Sequence, residues 1–233
     1  MLGMHRLALA ASLGLGFHSA VGGWAVITIE NPPDYLEAGA AYRLEYTVRQ
    51  HGKTPLPGLQ GSVLVQPTGA VNADQLSVQS SPGSREGGYV ATVRVPDADQ
   101  VTLTVRSGFS GGGWGDLTLI AIPIVRPGGA RPVVALEERG HRLFVAKGCG
   151  MCHVNGDVPE FAQMNRVLEG VAPVLTGRRL EAAYVRQRLT DPSSLPKIGD
   201  GPVRMPQLGL STGEVDALVA LLSGPVERAG GGR

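Results

Sequence analysis

Cys149-Gly150-Met151-Cys152-His153 concentrates the chemistry of this chain in five consecutive residues. On a helical turn, positions i and i+3 lie on one side. Two thiols so placed can each add across a vinyl group of one porphyrin, and the adjacent imidazole can reach its metal from the same side. The C-x-x-C-H pattern is therefore a haem-attachment signal. A dithiol redox pair would follow a strand and open a helix in a βαβ unit, and no such unit is visible. A zinc site needs further Cys or His ligands. There are two cysteines in all, and no histidine follows His153.

Three further segments complete the pattern. Gly140-His141-Arg142-Leu143-Phe144 precedes the motif, and Ala172-Pro173-Val174-Leu175-Thr176-Gly177 follows it. Arg204-Met205-Pro206 comes next, ahead of a final helix signalled by Ser211-Thr212-Gly213-Glu214, a capping box. In that order, residues 133–226 resemble a class I cytochrome c domain. The resemblance implies thioethers at Cys149 and Cys152, with His153 as the proximal iron ligand. It implies that the Pro173 carbonyl orients His153 through Nδ1, and that Arg178 or Arg179 pairs with a haem propionate. It also implies Met205 as the distal ligand. Of the other methionines, Met1 and Met4 precede the mature chain and Met151 lies inside the motif, leaving Met164 as the rival. His141 reads as a surface residue, and Met151 as pointing away from the iron.

The elements that must position these residues fall into two compositional halves. Residues 24–125 alternate with period two. Leu44, Tyr46 and Val48 face one way, Arg43, Glu45, Thr47 and Arg49 the other, and the runs Tyr89–Val95 and Val101–Val105 repeat the pattern. Turn signals separate six or seven short strands, which predicts an immunoglobulin-like sandwich. Gly22-Gly23-Trp24-Ala25, Thr47 to Lys53 and a late glycine-rich loop resemble the YtkA-like or FixH-like sandwich domains. With one histidine (His51), no Met and no Cys between 24 and 132, a copper site there is not expected. Trp24 and Trp114 read as core or cover residues, Trp114 alternatively as a docking contact in its glycine loop. Residues 126–132 (Arg-Pro-Gly-Gly-Ala-Arg-Pro) read as a linker. Helical spacing follows, over Glu137–Lys147, around Tyr184–Leu189, and from Ser211 to Gly224, where Val215, Leu218, Val219 and Leu222 form one stripe. The expectation is thus a two-domain protein, an all-β immunoglobulin-like sandwich followed by an all-α class I cytochrome c domain, with a disordered tail over 227–233.

Residues 1–20 read as a signal peptide, with an apolar stretch from Leu7 to Phe17 too short for the roughly 20 residues that span a bilayer. Lys and Arg (21) balance Asp and Glu (20), so no basic face of the kind that binds nucleic acid is implied. The combined expectation is a periplasmic mono-haem c-type cytochrome, carrying one covalent haem c. It would pass single electrons to redox partner proteins, with possible association with a membrane complex, and would not be an enzyme by itself. A haem-based sensor with an open sixth position is a second reading, separable by carbon monoxide binding. An assembly factor with a redox helper domain is a third. Export predicts a mature N-terminus between residues 21 and 26. Peptide mapping of the native protein should recover no Met4-containing peptide, and recovering one would refute export.

Overall fold

The computed structural model describes residues 23–68, 75–109, 115–161, 170–198 and 204–224. The expected signal peptide, Trp114, Met164 and the tail lie outside the described residues. The first half forms two sheets. One contains β1 (Ala25–Ile29), β3 (Ala41–Gln50), β4 (Thr54–Pro55), β7 (Ser81–Pro82) and β8 (Gly88–Arg94), ordered β1-β3-β8-β7 with β4 beside β3. The other contains β2 (Leu36–Glu37), β5 (Ser62–Thr68), β6 (Leu76–Gln79), β9 (Gln100–Arg106), β10 (Asp116–Thr118) and β11 (Ile122–Val125). Its order is β2-β11-β9-β5-β6, with β10 beside β9. Pairing is antiparallel except between β2 and β11.

Period-two alternation sets the register. Leu44 pairs with Ala91 and Tyr46 with Tyr89 in one sheet, Val63 with Val105 and Val65 with Leu103 in the other. All eight are buried. Tyr46 and Tyr89 stack with ring centroids 5.5 Å apart. Thr47, read as outward-facing, is instead buried. Its hydroxyl donates to Glu30 Oε1 at 3.1 Å and accepts from Arg49 Nη1 at 2.8 Å.

Strand β1 departs furthest from simple alternation, because all five of its residues are buried. It is an edge strand, and unpaired edges need cover. The second half forms three helices, α1 (Leu136–Ala146), α2 (Ala182–Thr190) and α3 (Thr212–Ser223), and the end of α1 with the turn after it supplies that cover. The Ile27 amide donates to Met151 Sδ at 3.5 Å, the Thr28 hydroxyl to the Lys147 carbonyl at 3.5 Å, and Lys147 Nζ to the Glu30 carbonyl at 3.1 Å. Arg142 reaches the Ala121 carbonyl of the other sheet at 3.3 Å, and Arg139 the Asp34 carboxylate at 3.2 Å.

These contacts correct the expected fold class. Among the described residues the protein is mostly β, with three short helices, and no all-α cytochrome c domain stands apart from the sandwich. One hydrophobic cluster runs from Ala25 and Ile27 through Phe144 and Met151 to Leu218. The physical reason is that β1 offers an apolar outer face and a bare edge, which the end of α1 and the turn after it bury. Residues 126–133 carry no strand or helix and are exposed.

Among the helices, α1 and α3 cross where a Cβ on Gly140 would come 2.1 Å from the Ala217 carbonyl oxygen. Ser211 caps α3, with its amide donating to Glu214 Oε2 at 2.8 Å and its hydroxyl accepting from the Glu214 amide at 3.4 Å. Glu214 also pairs with Lys147 at 2.8 Å, and Lys147 is only 3% exposed. One buried ammonium therefore links α1, the capping box of α3 and the end of β1.

Burial pushes the Glu214 carboxyl up, but the hydrogen bonds from Lys147 and Ser211 outweigh it and hold the group below its ordinary 4.5. A carboxylate depressed by folding stabilises fully above its unfolded value, and that contribution disappears as pH falls through the folded value. Stability should therefore fall as pH drops below about 4.5, and Glu214→Gln should flatten that part of the curve. Lys147→Met should cost about 2 kcal/mol at neutral pH in denaturant unfolding, since Glu214 keeps part of its solvation.

Candidate functional site

Helix α1 ends in a device that presents the motif. Gly148, at φ 71°, turns the chain out of the helix, and its amide returns to the Val145 carbonyl at 2.9 Å. A Cβ there would sit 2.3 Å from the Ile27 carbonyl oxygen, so glycine is needed both for the angle and for the close approach to β1. Cys149–Met151 then form one 3-10 turn, and the Cys152 and His153 amides both donate to the Cys149 carbonyl, at 3.1 and 2.9 Å. Met151 is fully buried against β1, so the two cysteines and His153 are left to face the other way.

They face a cavity of about 370 Å³. Cys149, Cys152, His153, Pro173, Arg178 and Met205 all line it. The rest of the wall is largely apolar, including Phe144, Leu175, Val185, Leu189 and Leu218, and Val26 of the sandwich contributes from β1. His153 Nδ1 lies 2.9 Å from the Pro173 carbonyl oxygen. A carbonyl only accepts, so Nδ1 carries the proton and Nε2 keeps its lone pair. Burial pushes the His153 pKa down, against a smaller upward effect of the Pro173 hydrogen bond. The neutral ring is thus the favoured form. The loop carrying Pro173 is tied to the motif by Leu175 N to the Val154 carbonyl (2.8 Å), Gly156 N to Thr176 Oγ1 (2.7 Å) and Gly177 N to Asp157 Oδ2 (2.9 Å).

Burial pushes the Cys149 thiol up to about 12, with Cys152 adding to the effect, and the Cys152 thiol up to about 11. Both stay protonated at neutral pH. A dithiol oxidoreductase or a thiolate metal site needs the opposite shift.

Arg179 is not part of this wall. It lies against Gly224 at the end of α3 and lines a separate groove. Two contributors were not anticipated from the sequence. Val26 comes from the sandwich and Arg188 from α2. Arg188 donates to the carbonyls of Pro192 (3.0 Å), Leu195 (3.4 Å) and Pro196 (2.8 Å), with its guanidinium 5.6 Å from the Tyr184 ring centroid. The i, i+4 spacing of Tyr184 and Arg188 was the one visible signal. Beyond it, Gln207 Nε2 donates to the Thr190 carbonyl at 2.7 Å and ties the Met205 segment to α2. His141 sits at the surface, 3.0 Å from Glu160 Oε2.

No family model matches the chain, and no curated protein matches it. Among solved structures, a variant of the superoxide reductase (neelaredoxin) from Ignicoccus hospitalis is 14% identical. It aligns over 43% of this chain and 80% of its own, with a TM-score of 0.31. The ZirS C-terminal domain is 12% identical over 54% of this chain and 87% of its own, with a TM-score of 0.29. The expected membership in the class I cytochrome c family is corrected. The architecture is predominantly β, and among the described residues no group of three or more His, Cys, Asp or Glu could hold a metal ion. The YtkA-like or FixH-like likeness of the sandwich likewise gains no family match.

Arg188→Met should release the 192–196 segment from three carbonyl acceptors. The expected loss is about 2 kcal/mol of stability, with faster amide exchange confined to residues 190–198. Uniform exchange across the chain would show that Arg188 does not hold this wall.

Proposed function

We propose that this chain is an exported one-electron carrier with a single haem joined covalently to Cys149 and Cys152. The observation that carries the reading is that both thiols, the Nδ1-anchored imidazole of His153 and the Met205 side chain line one largely apolar cavity. The residues fit the group in three respects. The thiols are neutral and adjacent to apolar space. His153 keeps Nε2 for a metal, its ring angle set by Pro173. Arg178, Lys197 and Arg204 bring positive charge to a wall that has no carboxylate among the described residues, which suits the two propionates.

When bound, the haem would supply a ferric/ferrous couple. His153 and Met205 would be the residues that hold its iron, and methionine ligation favours the ferrous state. The apolar wall would exclude water and limit the reorganisation that accompanies a change of charge. With His153 and Met205 both committed to the iron, the protein would pass electrons to a partner and would transform no substrate.

After denaturation and removal of free haem, the polypeptide should retain one haem per chain, and a Cys149→Ala, Cys152→Ala double variant should retain none. Haem extractable from the native protein would refute covalent attachment. The weak far-red band of a ferric iron with a methionine ligand should vanish in Met205→Ala and persist in Met164→Ala. The reverse pattern would make Met164 the ligand.

A further inference from the structure

The end of α2 holds the wall of the cavity at two places. Arg188 seats residues 192–196 through three of their carbonyls. Two residues on, Thr190 closes the helix. The last carbonyls of a helix have no partner within it. Here the Thr190 carbonyl accepts from Gln207 Nε2 at 2.7 Å. Gln207 stands two residues after Met205, and both line the cavity. Residues 204–210 form neither helix nor strand. No backbone hydrogen bond joins them to another part of the described chain. Among the described residues, the Gln207 amide therefore makes the only hydrogen bond between this segment and the rest of the protein. Met205 and Leu210 pack on the hydrophobic cluster, but apolar contact is non-directional. It favours burial of the Met205 side chain without fixing where along the wall its sulfur lies. One directional tie, two residues away, does that.

We propose that Gln207 is a positioning residue for Met205: by fastening the Met205 segment to the end of α2, it holds the thioether in the cavity that His153 also lines. The inference rests on the haem reading above. Gln207 acts through Met205, by setting the ratio of the chain with Met205 in place to the chain with Met205 displaced. A neutral hydrogen bond of this kind changes such a ratio by about fivefold. When the ratio falls, an outside ligand that takes the Met205 position binds more tightly by the same factor. That holds even while Met205 remains the dominant occupant.

The test is a titration of ferric holoprotein with imidazole, which competes for the Met205 position. Gln207→Leu removes the donor at an exposed site, and Gln207→Glu keeps the length but, ionised, only accepts. Each should bind imidazole about fivefold more tightly than wild type. Arg186→Ala breaks an exposed ion pair between the same helix and Asp216 of α3, and it should leave imidazole affinity unchanged. Wild-type affinity in either Gln207 variant overturns the proposal, and a lowered denaturant midpoint beside it would make Gln207 a helix cap alone. An equal gain in Arg186→Ala overturns it too, as does a far-red band that depends on Met164. Covalent attachment tests the haem reading separately. If the chain holds no haem, that reading fails, and the anchor is tested in the haem-free full chain by peroxide oxidation. Gln207→Leu should then speed sulfoxide formation at Met205 several-fold, with the fully buried Met151 as internal reference. An unchanged Met205 rate would overturn the anchor.

Discussion

The bare edge of β1 is the constraint on which the rest of this structure depends. An edge strand with apolar side chains on both faces is unstable in water and invites pairing with another chain. Here the cover is the very turn that carries the cysteines. Met151 accepts from the Ile27 amide, and Gly148 lies against the Ile27 carbonyl. Met151 is thereby committed to the sandwich, and the flanking cysteines and His153 are committed to the cavity. Met151, packed on the sandwich, sets which way its neighbours Cys149, Cys152 and His153 face.

The same contact explains how a small helical segment holds an open, apolar cavity. Three helices of nine to twelve residues are short for independent stability. They are held by the close crossing of α1 and α3, by the packing of α2 on α3, and by the contact of α1 with β1. The buried Lys147 secures the corner where these elements meet, with Glu214 and the Glu30 carbonyl as its acceptors. Stability and site geometry are consequently coupled: disturbing that corner moves the residues next to Cys149.

The polar features of the cavity follow a consistent electrostatic logic. Two thiols and a neutral imidazole face largely apolar walls, and Arg178, Lys197 and Arg204 stand among lining residues that include no carboxylate. Lys147 and Arg188 also line the cavity, but Glu214 holds the first and three backbone carbonyls the second, so their charges support the wall.

Local pattern was enough to reveal the chemistry-bearing residues, the strand alternation of β3, β8 and β9, and the capped helix from Ser211, because each depends on neighbours in sequence. Spacing alone put Cys149, Cys152 and His153 together, and Ser211 with Glu214. The expectation of an all-α cytochrome c domain was not correct, since a composition change near residue 130 says nothing about how the following segment packs. Only the tertiary structure decided that Val26 borders the cavity, that Arg179 lies outside its wall, and that Thr47 is buried. Each of these depends on contacts between residues far apart in the chain, and β1, buried on both faces, carries no alternating pattern by which its second partner could be read.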